Sequence, residues 1–269
     1  MTAHSFDAFA TKLSANHHVY GITRRGIGAS SVPPPTDTNY DATQLGADVV
    51  TVMRQLKLPK AVLIGHSFGG EELSAVATTH PEMVSGLVYL DAAYGYAFYD
   101  PHLGNLEIDA RDVREELAKL VPGRGPLDSR AIVQQLLMQL PLLSKELEAQ
   151  LKQLNDQAPF PDVSKLPPFP AQMSALLDGQ QKFTKMTVPV LAIFAFRHAV
   201  PLPGMLQSEQ LRKAAGGDSV FSEEHAEALR AVDPSAHIIR LPNADHFVFK
   251  SNEAEVLHEV NAFMDGLPK

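Results

Sequence analysis

Gly65-His66-Ser67-Phe68-Gly69 sets one hydroxyl between two glycines in the spacing G-x-S-x-G. The run Ala61 to Ile64 before it is apolar and strand-like. A helical pattern from near Glu71 carries Leu73, Val76 and Ala77 until Pro81 closes it. Strand, abrupt turn and helix together form the context in which that spacing presents a serine as a nucleophile. Glycine is required because side chains flanking so sharp a turn collide with the adjoining strand and helix. The hydroxyl then stands at a helix N-terminus. There the dipole and the Phe68 amide favour the negative charge that develops when a carbonyl is attacked. A tight turn with an incidental serine is the plain alternative, and both flanking elements argue against it.

Such a serine needs a general base within hydrogen-bond reach and a carboxylate on the base's other nitrogen. Among eleven histidines, His246 is expected to be the base, since it follows the last strand pattern and precedes the last helix. His66, inside the turn, is expected to pack structurally, and His198 follows a strand with no evident duty. For the acid, Asp91 closes the run Leu87-Val88-Tyr89-Leu90. A charge ending a buried strand is costly unless paired, and an imidazolium is a suitable pair. A local turn-forming role for Asp91 stays open, as do Asp245 and Asp218 as the acid. Glu71 and Glu72 are expected to serve the helix N-terminus rather than catalysis. Phe68, Tyr94 and Phe247 are expected at oxyanion and substrate positions. Tyr96, Phe98, Tyr99 and Phe249 divide between pocket and core.

Positioning these groups is the task of five apolar runs. They are His18 to Thr23, Ala61 to Gly65, Gly86 to Asp91, Val188 to Phe194 and Ala236 to Leu241. Continuous apolar runs bounded by turn residues read as buried parallel strands. Helical spacing separates them at Leu45, Val49, Val52 and Leu56, and again at Val256, Val260, Phe263 and Leu267, where Asn252 and Glu255 suit an N-cap and N3 pair. The alternation predicts an α/β fold with a mostly parallel sheet flanked by helices. Residues 94–187 are different. Val113, Leu117 and Leu120 are helix-spaced, as are Ile132, Leu136 and Leu140, until Pro141 is expected to end that run. Leu143, Leu147, Leu151 and Leu154 resume it before a proline-rich link from Pro159 to Pro170. The expected organisation is a core of residues 1–93 and 188–269 with a helical cap, a lid, at 94–187.

Composition narrows the functions. The chain has 269 residues with 45% hydrophobic and 20% charged content, an ordinary globular balance. Its net charge of −8 argues against nucleic acid or an anionic membrane as main partner. No cysteine is present, so disulfides, thiolate metal sites and a cysteine nucleophile are excluded. Neither H-x-H-x-D-H nor H-E-x-x-H occurs, which removes the metal-dependent lactonase route; no cofactor or metal is expected. Met1 to Phe6 shows no signal-peptide pattern, and a cytoplasmic location is expected.

At these residues the chain resembles the α/β-hydrolase superfamily along nearly its whole length. Thr23-Arg24-Arg25-Gly26-Ile27-Gly28-Ala29-Ser30 is similar to the turn after the family's fourth strand. Residues 65–70 are similar to its nucleophile elbow, and Asp245-His246-Phe247 to its histidine loop. The resemblance implies the order serine, acid, histidine, and a cap between the sixth- and seventh-strand equivalents. Many members carry the acid after the seventh strand, but residues 194–200 offer no carboxylate; others carry it after the sixth, where Asp91 stands. The family's first three strands have no counterpart here. Three outcomes stay open: Met1 is an internal start, or the strand at Val19 pairs directly with that at Val62, or the chain folds poorly. The implied activity is that of a metal-independent serine hydrolase. It would act on small, partly apolar carboxylic esters or lactones, N-acyl-homoserine lactones among them. A cofactor-free perhydrolase or haloperoxidase and a non-catalytic hydrolase-fold binding protein are the alternatives. The oligomeric state is not legible.

Overall fold

The computed structural model describes residues 1–126, 128–156, 170–196 and 219–268. Helix α1 (Asp7–Leu13) follows a short 3-10 turn, and α2 (Asp37–Tyr40) and α3 (Ala42–Gln55) precede strand β1 (Ala61–His66). Then come α4 (Gly69–Thr79), β2 (Val84–Leu90), α5 (Leu106–Lys119), α6 (Arg130–Asp156) and α7 (Ala171–Asp178). The chain closes with β3 (Val190–Phe196), α8 (Ser219–Val232), β4 (His237–Pro242), α9 (Val248–Ser251) and α10 (Glu253–Asp265).

The four strands form one parallel sheet in the order β1-β2-β3-β4. Alternation along each strand feeds two cores. Leu87, Tyr89, Ala192 and Phe194 face α3, α4 and α8. Val88, Leu90, Leu191 and Ile193 face α1, α9 and α10. Both faces are covered, so the central strands are apolar throughout, as a parallel sheet requires. Between β2 and β3 the described residues hold helices and no strand.

Three local expectations are corrected. Residues 18–23 form no strand, and Val19, Tyr20 and Ile22 are 40–50% exposed. The segment is held by the chain's beginning instead: the Ala3 amide donates to Thr23 Oγ1 at 3.0 Å, and Gly21 lies against Ala3. Among the described residues no backbone hydrogen bond joins it to β1, so β1 is an open sheet edge. Secondly, Pro141 does not end its helix; α6 runs through it. The carbonyl that loses its partner belongs to exposed Leu137, where water can satisfy it. Thirdly, Asn252 makes no N-cap bond. Its side-chain oxygen accepts from Ser251 Oγ at 2.8 Å, and that hydroxyl in turn accepts from the Asp245 amide. The link Pro159 to Pro170 lies almost wholly outside the described residues.

Candidate active site

All three expected groups stand at the carboxyl ends of parallel strands, the edge where open α/β sheets bind ligands. Ser67 follows β1, Asp91 follows β2, and His246 follows β4. Ser67 and Asp91 each have positive φ, 53° and 48°, in a region non-glycine residues rarely occupy. The turn at Ser67 leaves no space for side chains at Gly65 and Gly70, whereas a Cβ on Gly69 would meet nothing within 4 Å among the described residues. A Cβ on Gly65 would lie 2.8 Å from the Gly69 carbonyl oxygen, and one on Gly70 would lie 2.1 Å from that of Ala92. The second contact presses the first turn of α4 directly against the segment after Asp91. Among the described residues nothing accepts a hydrogen bond from the Phe68 amide.

Asp91 is fully buried, and its Oδ2 lies 2.7 Å from His246 Nδ1. Its Oδ1 accepts from the Ala195 amide at 2.9 Å and from the Tyr94 hydroxyl. A buried carboxylate is tolerated because both oxygens are engaged. Asp245, the adjacent alternative, is exposed. Asp218 and His198 lie outside the described residues. Tyr94, expected at the substrate wall, is buried behind the acid, and Ser222 Oγ ties its hydroxyl to the Ala195 carbonyl. Burial, then the Asp91 charge and hydrogen bond, push the Tyr94 phenol far above its ordinary range. Phe98, Tyr99 and Phe249 are likewise buried. Phe68, Tyr96 and Phe247 stay half-buried around the serine.

Two residues beside the serine do more than the sequence indicated. His66 Nε2 donates to the His246 carbonyl at 2.8 Å, and its ring stacks on Phe247 at 5.0 Å. Burial and the His246 ring lower its pKa to about 4, so it is neutral and its donor nitrogen is fixed. Tyr96 packs on the Phe68 ring at 4.9 Å. Its phenol is raised well above 10 by burial, then by the Asp91 and Glu71 charges, while the neighbouring Ser67 hydroxyl, as its hydrogen-bond partner, pulls it down. Among the described residues no hydrogen bond joins Ser67 to His246.

Glu71 does not act as an N-terminal cap. It is fully buried, and among the described residues neither carboxylate oxygen has a hydrogen-bond partner. Burial drives its pKa well above the usual carboxylate range, against the pull of Arg24. Glu72 is committed elsewhere, to an ion pair with Arg24. Both ends of that pair border a cavity of about 260 Å³ that Ile22, Val49 and Val52 also line. Ser67 does not border it. Among the described residues no cluster of His, Asp and Glu could hold a metal ion, and no helix is long and apolar enough to cross a membrane.

A family model described as the alpha/beta hydrolase family matches residues 1–259. The chain is 27% identical over 109 residues to a 2-(acetamidomethylene)succinate hydrolase of Mesorhizobium japonicum, covering 40% of this chain and 36% of that protein. It is 32% identical over 94 residues to the bifunctional epoxide hydrolase 2 of Sus scrofa, covering 35% and 16%. The matched stretches thus span about a third or less of these relatives. Among solved structures, an esterase, RhEst1, from Rhodococcus sp. ECU1013 superposes with a TM-score of 0.58 at 17% identity, over 100% of this chain and 88% of that one. A putative non-heme bromoperoxidase, BpoC, from Mycobacterium tuberculosis superposes at 0.57 and 17% identity, over 100% and 90%.

Proposed function

Since this chain belongs to the alpha/beta hydrolase family, we propose that it is a metal-independent serine hydrolase of small, partly apolar carboxylic esters or lactones. One observation carries the reading. A serine at φ 53° on a strand-to-helix turn stands beside a histidine loop whose imidazole is held by a buried carboxylate at 2.7 Å.

Ser67 Oγ attacks the acyl carbon while its proton passes to His246 Nε2. The Asp91 carboxylate, already on Nδ1, fixes the tautomer in which Nε2 is the proton acceptor and then stabilises the imidazolium. The Phe68 amide faces the developing oxyanion. His246 returns the proton to the departing alkoxide, water attacks the acyl-enzyme, and the carboxylic acid leaves. Ser67 and His246 close on each other with substrate bound; such bonds are commonly long without it. Residues 94–187 serve as a lid, and the half-buried rings of Phe68, Tyr96 and Phe247 supply the apolar wall. N-acyl-homoserine lactones fall within this substrate class, and a cytoplasmic location suits it.

A fluorophosphonate probe tests the nucleophile. Labelling of the native chain that disappears in Ser67→Ala is expected, together with turnover of an ester and lactone panel. A folded native chain that takes no label and turns over neither class overturns the reading.

A further inference from the structure

The segment after Asp91 is fastened to the helix that follows Ser67. The Tyr94 carbonyl accepts from the Ala97 and Phe98 amides, both at 2.8 Å, so residues 94–98 form one helical turn. Ser74 Oγ of α4 donates to the Ala97 carbonyl. At Gly70 the two elements touch, since a Cβ there would lie 3.0 Å from Ala97 Cβ as well as against the Ala92 carbonyl. Tyr96 sits inside this pinned turn. Its ring centre lies 4.9 Å from that of Phe68 and 6.2 Å from that of Tyr94. Among the described residues the hydrogen-bond partner of its hydroxyl is Ser67. A ring that served only as an apolar wall would gain nothing from a hydroxyl, which must find a partner wherever water is excluded.

We infer that the Tyr96 phenol is a further catalytic group, a hydrogen-bond donor to the oxyanion beside the Phe68 amide. This role presupposes the hydrolase reading above and gives the oxyanion its second donor. In the attack Ser67 Oγ bonds to the acyl carbon, the serine proton passes to His246, and the carbonyl π pair moves onto its oxygen. That oxygen hangs from the carbon that Oγ has just joined. A donor already against Oγ reaches it by rotating its side chain, with no movement of the main chain. The phenol keeps its own proton throughout. Burial, then the Asp91 and Glu71 charges, hold its pKa well above the ordinary phenol range, so it stays neutral at neutral and mildly alkaline pH. A donor fixed in place before reaction needs no reorganisation as the charge develops, and stabilises the transition state more than mobile water does.

A trifluoromethyl ketone is the probe, because its hemiketal with Ser67 carries the same oxyanion. Tyr96→Phe with native circular dichroism should lower kcat for esters about tenfold to a hundredfold, leave KM near native, and weaken the ketone by the same factor. Carbon-13 NMR of the labelled hemiketal carbon should show its hydroxyl ionising about one to two pH units higher in the variant. A phenol that merely orients the serine would change the rate and leave that ionisation in place. Installing 3-fluorotyrosine at position 96 keeps the shape while making the phenol a stronger donor, and should tighten the ketone about threefold; it decides the matter where Tyr96→Phe folds poorly. Unchanged turnover and ketone affinity in Tyr96→Phe overturn the inference and leave the serine hydrolase reading standing. So does lost turnover without a shift in hemiketal ionisation. A native chain that takes no fluorophosphonate label and binds no ketone overturns both.

Discussion

The Nε2 hydrogen of His66 is donated to the main-chain carbonyl of His246, 2.8 Å away and 180 residues distant in sequence. The residue before the serine thus holds the loop that carries His246. His246 is fixed twice, through its backbone by His66 and through its ring by Asp91.

This clamp carries a pH dependence. Unfolded, His66 takes up a proton near 6.5; folded, it resists until about 4. The unfolded state binds more protons between those values, so stability contributed here is intact above pH 6.5 and falls as pH drops toward 4. The full difference is on the order of 3 kcal/mol. Urea unfolding at pH 7 and 4.5 should show it, and His66→Asn should remove most of the difference.

Glu71 works in the opposite sense. Its folded pKa is raised, so the folded state binds the extra proton, and stability falls as pH rises above the unfolded carboxylate range. Glu71→Gln, a neutral mimic of the protonated acid, should stabilise the protein more at pH 8 than at pH 5, by denaturant midpoint. Equal effects at both would show that the carboxylate carries no charge penalty.

Asp91→Asn keeps an oxygen for the Ala195 amide and the Tyr94 hydroxyl but sets an amide NH₂ against His246 Nδ1. Ester turnover should drop by about 10³–10⁴, with near-UV circular dichroism unchanged.

Tyr96→Phe retains the packing on Phe68 and deletes only the phenol beside Ser67. The kcat should drop roughly tenfold to a hundredfold with KM little changed, since a hydrogen-bond partner of the reacting hydroxyl is lost. A matched rise in KM would assign the phenol to ground-state binding instead.

Much of this was legible because buried parallel strands are continuous apolar runs: the patterns at Ala61, Gly86, Val188 and Ala236 all mark observed strands, and the turn at Ser67 follows from its glycines. The run at His18 looks the same in composition, yet it meets Ala3 rather than a neighbouring strand. Apolar pattern records a willingness to pair, whereas pairing is a tertiary event. Pro141 misled for a related reason, because a lost helical bond is tolerable where water reaches the carbonyl. Burial of Tyr94 behind Asp91, and the reach of His66 to a carbonyl 180 residues on, depend on the assembled sheet and leave no local trace.

Ser67 is mounted on β1, which among the described residues has, like β4, a neighbour on one side only. Edge strands open at lower free energy than the sheet interior, so the Ser67 turn rests on a part of the scaffold that breathes early. Heating should therefore silence the hydroxyl through local fraying several degrees before calorimetry registers global melting.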